Sequence, residues 1–253
     1  MIDDLSGKVV LITGASSGIG TAVALAFADH GAKLALNYNA NKDGAETVLA
    51  QIHAASGAGA LFKADVSDSG QCAALINAAH SHFGRIDVLI NNAGGFVRKE
   101  MLAVASDELI EQVFNLNARS IIACCRGVIP LMRAQGGGSI INVTSQAART
   151  GGSSGSGIYA ATKGYVSAYT RALAKELAAD KIRVNAVAPG VIDTPIHKHT
   201  SAQIMAQLMT TIPMQRLGSA DECAGAFLYL ASEQLSGYVT GQIIEVNGGS
   251  VMP

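Results

Sequence analysis

The chain has 253 residues, with 18 Lys and Arg against 19 Asp and Glu, a formal net charge of -1 and 49% hydrophobic residues. That length and apolar content suit one large α/β domain. A balanced charge without long runs of one sign excludes a nucleic-acid footprint and a polybasic membrane patch.

The cysteines, Cys72, Cys124, Cys125 and Cys223, form no C-x-x-C pair, and no histidine cluster completes a zinc pattern. They read as buried reduced thiols, and no metal is expected. No apolar run reaches membrane-spanning length. Met1-Ile2-Asp3-Asp4 lacks the basic and apolar regions of a signal peptide. The expected setting is soluble and cytoplasmic.

Strand and helix patterns alternate along the chain. Val9 to Thr13, a nearly all-apolar run after a Gly-Lys turn, reads as a strand buried on both faces, as in a parallel sheet. Gly14 to Gly20 is a Gly/Ser-rich loop, Thr21 to His30 has a helix pattern stopped by Gly31, and Ala32 to Tyr38 reads as strand. Helices are predicted over Ala45 to Ala55 and Ser69 to Phe83, and strands over Ala60 to Ala64 and Asp87 to Asn91. Ser106 to Gln135 keeps helix periodicity for longer than an ordinary helix and reads as two helices or one long one. Ser139 to Thr144 is a strand, residues 151–157 a mobile loop, Ile158 to Asp180 a helix and Arg183 to Ala188 a strand. Residues 194–212, polar with helical patches, fit a flap; Ala220 to Ser232 reads as helix and Gln242 to Val246 as the last strand. Seven strands with helices between them make one doubly wound parallel sheet in a single domain spanning residues 1–253.

The segment Thr13-Gly14-Ala15-Ser16-Ser17-Gly18-Ile19-Gly20 joins the first strand to the first helix. A helix N-terminus offers free N–H groups and a positive dipole end to phosphates. Gly14 permits the turn, Gly18 lets the backbone approach a pyrophosphate, and Gly20 allows close helix–sheet packing. The spacing is G-x-x-x-G-x-G, distinct from the more general G-x-G-x-x-G. At the end of the second strand, Tyr38 stands where a carboxylate would bond both ribose hydroxyls of NAD and repel a 2′-phosphate. Asn37, Asn39, Asn41 and Ser16 offer neutral donors there, with Lys42 nearby, a pattern that favours NADP(H) over NAD(H). Further on, Tyr159 and Lys163 share one face of a predicted helix. The lysine charge should favour phenolate and lower the tyrosine pKa from its ordinary value of about 10.

Together these motifs resemble the short-chain dehydrogenases/reductases over essentially the whole chain. The matching pieces are TGASSGIG, Asp65-Val66, Asn91-Asn92-Ala93-Gly94, Asn117, Ser145, Tyr159 with Lys163, Pro189-Gly190, and Thr240-Gly241-Gln242 through Asn247-Gly248-Gly249. The segments IPMQRLG and YVTGQIIEVNGG look most like the 3-oxoacyl-thioester reductase and glucose-dehydrogenase-like members. The resemblance implies a Rossmann-type fold and reversible hydride transfer between NAD(P)(H) and a carbonyl/alcohol pair.

It also implies residue roles. Asp65 resembles the acid that bonds the adenine amino group, with Val66 beside it; the alternative is a cap on the following helix. Asn91 to Gly94 resembles the turn that stabilises the central sheet and borders the cofactor, with Asn91, Ala93 and Gly94 as the cofactor contacts. Asn117 resembles the asparagine that perturbs its helix and holds a water bonded to the lysine. Ser145 would bond the carbonyl oxygen, Tyr159 would be the general acid, and Lys163 would bond the nicotinamide ribose. Pro189, Gly190, Ile192 and Thr194 resemble the segment holding the carboxamide. Gln146 and Gly151, with Ser145 and Tyr159, are the substrate-side candidates, and His197, Lys198 and His199 on the flap are possible anion contacts. Family members commonly form tetramers or dimers. A protein of this fold can also act as a dinucleotide sensor without catalysis, but such a protein would usually have lost Ser, Tyr or Lys.

Overall fold

The computed structural model describes residues 2–195, 200 and 202–252. Seven parallel strands form one sheet: β1 (Val9–Ile12), β2 (Lys33–Tyr38), β3 (Ala58–Lys63), β4 (Val88–Asn91), β5 (Gly138–Val143), β6 (Ile182–Pro189) and β7 (Ile243–Val246). Their order is β3-β2-β1-β4-β5-β6-β7. Val10 of β1 lies opposite Leu34 on one side and Val88 on the other. The strand order reverses between β1 and β4. A crevice opens there at the carboxyl ends of the strands, the place where this architecture binds ligands.

Side chains along a strand alternate between faces, so one short apolar run supplies two cores. Val10 and Ile12 pack with Phe27 of α1 (Gly18–Asp29) and Phe227 of α9 (Asp221–Ala231). Leu11 and Leu89 face the other way, toward α3 (Ser69–Phe83), α5 (Ser120–Ala134) and α7 (Gly157–Leu177). Phe27 and Phe227 are fully buried; truncating either to Ala would cost about 3–5 kcal/mol.

The remaining helices are α2 (Lys42–Ala54), α4 (Asp107–Phe114), α6 (Ala147–Thr150), α8 (Ala202–Thr210) and α10 (Glu233–Ser236). The sequence pattern matches α3 at both ends and misses elsewhere for identifiable reasons. Helix α1 begins three residues early because Gly18 already takes part in its first turn. Helix α2 begins at Lys42, where the Asn41 side chain caps it by accepting from the Gly44 N–H at 3.1 Å. The stretch from 106 to 135 is one helical run, α4 through α5, loosened by a π turn at Asn115–Arg119. Helix α6 was not expected. Part of the expected flap is helical in α8, whereas His197, Lys198 and His199 lie outside the described residues.

Candidate active site

The glycine loop is held by the turn after β4. Thr13 Oγ1 accepts from the N–H groups of Asn92 and Ala93, both at 3.0 Å, while Asn92 Nδ2 donates to Thr13 O and Gly14 O at 2.9 and 3.0 Å. These two backbones approach so closely that a Cβ at Gly14 would stand 3.1 Å from Ala93 Cα. A Cβ at Gly20 would run into Gly14 O and come within 2.7 Å of Asn92 Nδ2. Gly20 therefore lets α1 meet its own loop, rather than the sheet as the sequence suggested. Gly18 adopts φ +55°, a conformation that favours glycine. Ser17 is the N-cap of α1, but its side chain caps nothing. The cap position thus leaves first-turn N–H groups for an outside acceptor, a fit for the pyrophosphate of a dinucleotide.

Several expected cofactor contacts are structural instead. Asn37 is 2% exposed. Its Oδ1 accepts from the Gly14 N–H at 3.1 Å, and its Nδ2 donates to Phe62 O and Ala64 O at 3.2 and 3.1 Å. The whole amide is consumed in tying the glycine loop to β2 and β3, so it is no ribose donor. Asn41 is likewise engaged, by its helix cap and by Ser16 O at 2.9 Å. Tyr38 is buried and Asn39 exposed. Lys42 Nζ pairs with Glu46 at 3.1 Å, on the surface. Asp65 does not cap α3: Asp68 does, accepting from the Gly70 and Gln71 N–H groups. The Asp65 Oδ1 instead closes a local turn on Ser67, at 2.9 Å to its N–H and 2.7 Å to its Oγ. The Val66 side chain belongs to the core. The Asn91 side chain points into the interior, donating to Asn142 Oδ1 at 2.9 Å; within the expected turn it is Asn92 and Gly94 that line the crevice.

The chemical groups converge from three elements. Ser145 follows β5, Tyr159 and Lys163 lie on α7, and Asn117 sits in the π turn. Asn117 is fully buried. Its Oδ1 accepts from the Gly95 N–H at 2.9 Å, and its Nδ2 donates to Gly95 O and Val113 O at 2.8 and 2.9 Å. The side chain thus fixes the loop bordering the site. Gly94 separates it from Lys163: a Cβ there would lie 2.7 Å from Asn117 Oδ1 and 3.2 Å from Lys163 Nζ. Asn115, two residues earlier, is only half-buried.

Lys163 is 2% exposed, and its Nζ donates to Val143 O at 2.7 Å. Burial pulls its pKa down to about 8. Burial pushes the Tyr159 phenol up to about 12, offset in part by a hydrogen bond with Ser145. The net shift of the tyrosine is therefore upward, against the expected lowering by the lysine. The ammonium is turned toward the strand carbonyl, 5.6 Å from the phenol ring centre, and loss of solvent outweighs it. Thr144, next to Ser145, faces away and donates to Lys163 O at 2.8 Å.

A cavity of about 570 Å³ runs from Ser17, Gly18 and Ile19 past Ser145, Tyr159 and Lys163. Pro189, Gly190, Ile192 and Thr194 form its far wall. Thr194 closes on the glycine loop, 3.2 Å from where a Cβ on Gly18 would be. A Cβ on Gly190 would meet Asn247 Cα at 2.6 Å. Gln146 lines the cavity, and its Oε1 is buried without a hydrogen-bond partner among the described residues. Gly151 does not line it: in left-handed conformation (φ +80°) it ends α6 and is exposed, while Thr150 and Gly152 on either side reach the cavity. Lys99 also lines the cavity. No sequence signal marked it, because it stands alone in an irregular turn. Among the described residues, no group of His, Cys, Asp and Glu is placed to hold a metal ion.

A doubly wound sheet with a phosphate-binding loop opening onto Ser, Tyr and Lys in one cavity defines a dinucleotide-dependent oxidoreductase. The family profile described as Enoyl-(Acyl carrier protein) reductase matches residues 14–251. The chain belongs to that family, among the short-chain dehydrogenases/reductases, and uses NAD(P) on a CH–OH/C=O pair. It is 40% identical to a 3-oxoacyl-[acyl-carrier-protein] reductase of Synechocystis sp., over 98% of each chain. A 3-oxoacyl-[acyl-carrier-protein] reductase of Thermotoga maritima is 38% identical, over 98% of this chain and 99% of that one. Among solved structures, the NADH-dependent reductase A1-R′ responsible for alginate metabolism is 39% identical. Its TM-score is 0.92, over 99% of this chain and 100% of the other. A blue fluorescent protein from a metagenomic library, in complex with NADPH, is 31% identical with a TM-score of 0.92, over 98% and 100%.

Proposed function

We propose that this protein reduces a ketone to a secondary alcohol with Tyr159 as the proton donor. The supporting observation is the convergence of Ser145, Tyr159 and Lys163 in a cavity continuous with the glycine loop. Ser17 to Ile19, Lys163 and the Pro189–Thr194 segment are the residues that would hold the dinucleotide, which supplies the hydride when bound. Tyr159 keeps its proton well above neutral pH, so the acid form needed for reduction is ready. Ser145 donates to the carbonyl oxygen, and that bond strengthens as negative charge develops. Lys163, charged at neutral pH, favours the phenolate left after proton transfer. Asn117 and Gly94 set the space beside the lysine. Tyr159→Phe should lower turnover by about 10²–10⁴ while dinucleotide affinity stays within a few-fold; wild-type rates in that variant would refute the assignment.

The acyl-carrier reductases among the relatives support a 3-oxoacyl thioester as substrate. The hydroxyls of Thr150, Ser153 and Ser156 at the far end of the cavity favour, as a second reading, a sugar-like carbonyl or alcohol. NADP remains the proposed cofactor, because Tyr38 rather than a carboxylate ends β2 and Asn39 and Lys42 stay at the surface. Titration with NADPH and NADH decides it, and equal affinities would defeat the choice. The proposed organisation is one domain with 194–212 as its flap, a reading supported by Leu208 and Thr211, which line the cavity.

A homotetramer or homodimer is supported by Phe114 of α4 and Tyr165 of α7, exposed aromatic side chains with ring centres 5.8 Å apart. Light scattering tests it. A cytoplasmic setting is supported by four free, buried cysteines. None of the described helices is long and apolar enough to cross a membrane.

A further inference from the structure

We propose that Lys99 selects substrates carrying a negative charge a few bonds from the reacting carbonyl: short oxo acids rather than neutral ketones or thioesters. The inference rests on the ketone-reductase reading of the site and replaces the 3-oxoacyl thioester considered there with a short oxo acid.

Lys99 and Lys163 are the charged residues among the described lining of the cavity, and no Asp or Glu lines it. Lys163 is buried deep and bonded to Val143 O. Lys99 is exposed, at the mouth of the cavity. Its position is fixed by neutral groups alone: Nζ sits 4.7 Å from the centre of the Phe96 ring and donates to Ser153 Oγ at 3.2 Å. Its neighbours in sequence neutralise each other, Arg98 donating to Glu100 at 2.8 Å. No carboxylate among the described residues lies within ion-pair distance of Lys99, so its charge is positioned but unpaired.

The same contacts aim that charge at the chemistry. Phe96, beneath the ammonium, packs on Tyr159 with ring centres 4.5 Å apart. The two separations, 4.7 and 4.5 Å, place the ammonium within about 9 Å of the phenol ring centre. A carbonyl oxygen bonded to Tyr159 and a carboxylate bonded to Lys99 must therefore belong to one short molecule. An acyl chain on a carrier thioester has no anion next to its ketone and would leave Lys99 without a partner. Ser153, which fixes the ammonium, belongs to the 151–157 loop, so that loop and the Phe96 turn meet at the charge.

The test is a matched series: acetoacetate, 4-oxopentanoate and 5-oxohexanoate against their methyl esters, with NADPH and NADH, for the wild type, Lys99→Met and Lys99→Arg. Melting curves confirm that each variant is folded. The wild type should favour at least one acid over its ester by tenfold or more in kcat/KM, chiefly through KM, and the acid KM should rise with added salt. Lys99→Met should bring the acid-to-ester ratio toward one, and Lys99→Arg should retain most of it. A wild-type preference for the esters, or a ratio that survives Lys99→Met, overturns the role of Lys99 while the ketone-reductase reading stands. Turnover of a 3-oxoacyl thioester but of no acid overturns it equally. If no carbonyl compound is reduced with either dinucleotide, the reading of the site itself fails, and the proposal with it.

Discussion

Replacing Lys163 with Met should make the dinucleotide-free protein more stable and inactive. The ammonium is buried, with one strand carbonyl as its hydrogen-bond partner. Its pKa falls from 10.5 to about 8, and at 1.36 kcal/mol per unit that is a penalty of about 3 kcal/mol on the charged form. Methionine fills a similar volume without charge but gives up the charged bond to Val143 O, worth about 1.5–3 kcal/mol. The net gain at pH 7 is about 1 kcal/mol, or about 2–4 °C in Tm for a chain of this size. The sign with pH is specific. Below about pH 8 the lysine is charged in both states and the penalty is complete. Between about 8 and 10.5 the folded state has lost the proton and the unfolded state keeps it, so stability rises with pH. Above 10.5 the penalty has gone. Urea unfolding at pH 7 and 9.5, at one fixed protein concentration and without dinucleotide, should show wild type gaining on Lys163→Met between the two. The reasoning fails if Lys163→Met is no more stable at pH 7, or if both proteins change alike with pH.

Gly94→Ala puts a methyl group between Asn117 Oδ1 and Lys163 Nζ, at 2.7 and 3.2 Å. It should reduce kcat by at least tenfold and lower Tm, and an active, equally stable variant would show that this spacing is dispensable. Asn92→Ala removes the donor to Thr13 O and Gly14 O, so dinucleotide affinity measured by fluorescence should fall more than kcat does. Alcohol oxidation needs the phenolate of Tyr159, scarce at neutral pH because burial holds the phenol near 12. The oxidation rate should therefore climb between pH 6 and 8 while reduction stays flat, then declines above about pH 8 as Lys163 loses its proton. Oxidation that is level from pH 6 to 8 would contradict this assignment.

The parallel sheet was legible because each strand is a short apolar run between a helix pattern and a turn. The catalytic groups were legible because Ser145, Tyr159 and Lys163 stand at characteristic separations. Polar residues at strand ends were the hard case. Asn37, Asn91 and Asn92 look alike in a sequence, and only the pleat and the neighbouring strands decide which side chain is consumed by backbone. Asn37 meets four backbone groups of the glycine loop, β2 and the end of β3. Asn91 meets Asn142 across the sheet, and Asn92 alone reaches the crevice. Lys99 was hidden for a different reason: its meaning comes from Phe96, Ser153 and Tyr159, which the fold brings together from two separate loops and a helix.

Departures from local stability rules gather around one point. The π turn interrupts the helical run at the asparagine expected to perturb it, and it lies where Asn117 can bond Gly95 in both directions. Lys163 is charged and buried, Gly94 admits no side chain, and Gln146 Oε1 lacks a donor among the described residues. Each feature costs stability alone, and all border the same cavity. Sequences that specify a fold agree across levels except where function opposes stability. The two large cores, built around Phe27 and Phe227 on one side of the sheet and Val128 and Leu173 on the other, offset that local cost. An ammonium held in a dry site can favour charge on Tyr159 more strongly than one in water. The loss of solvent that destabilises Lys163 is therefore also what makes it useful.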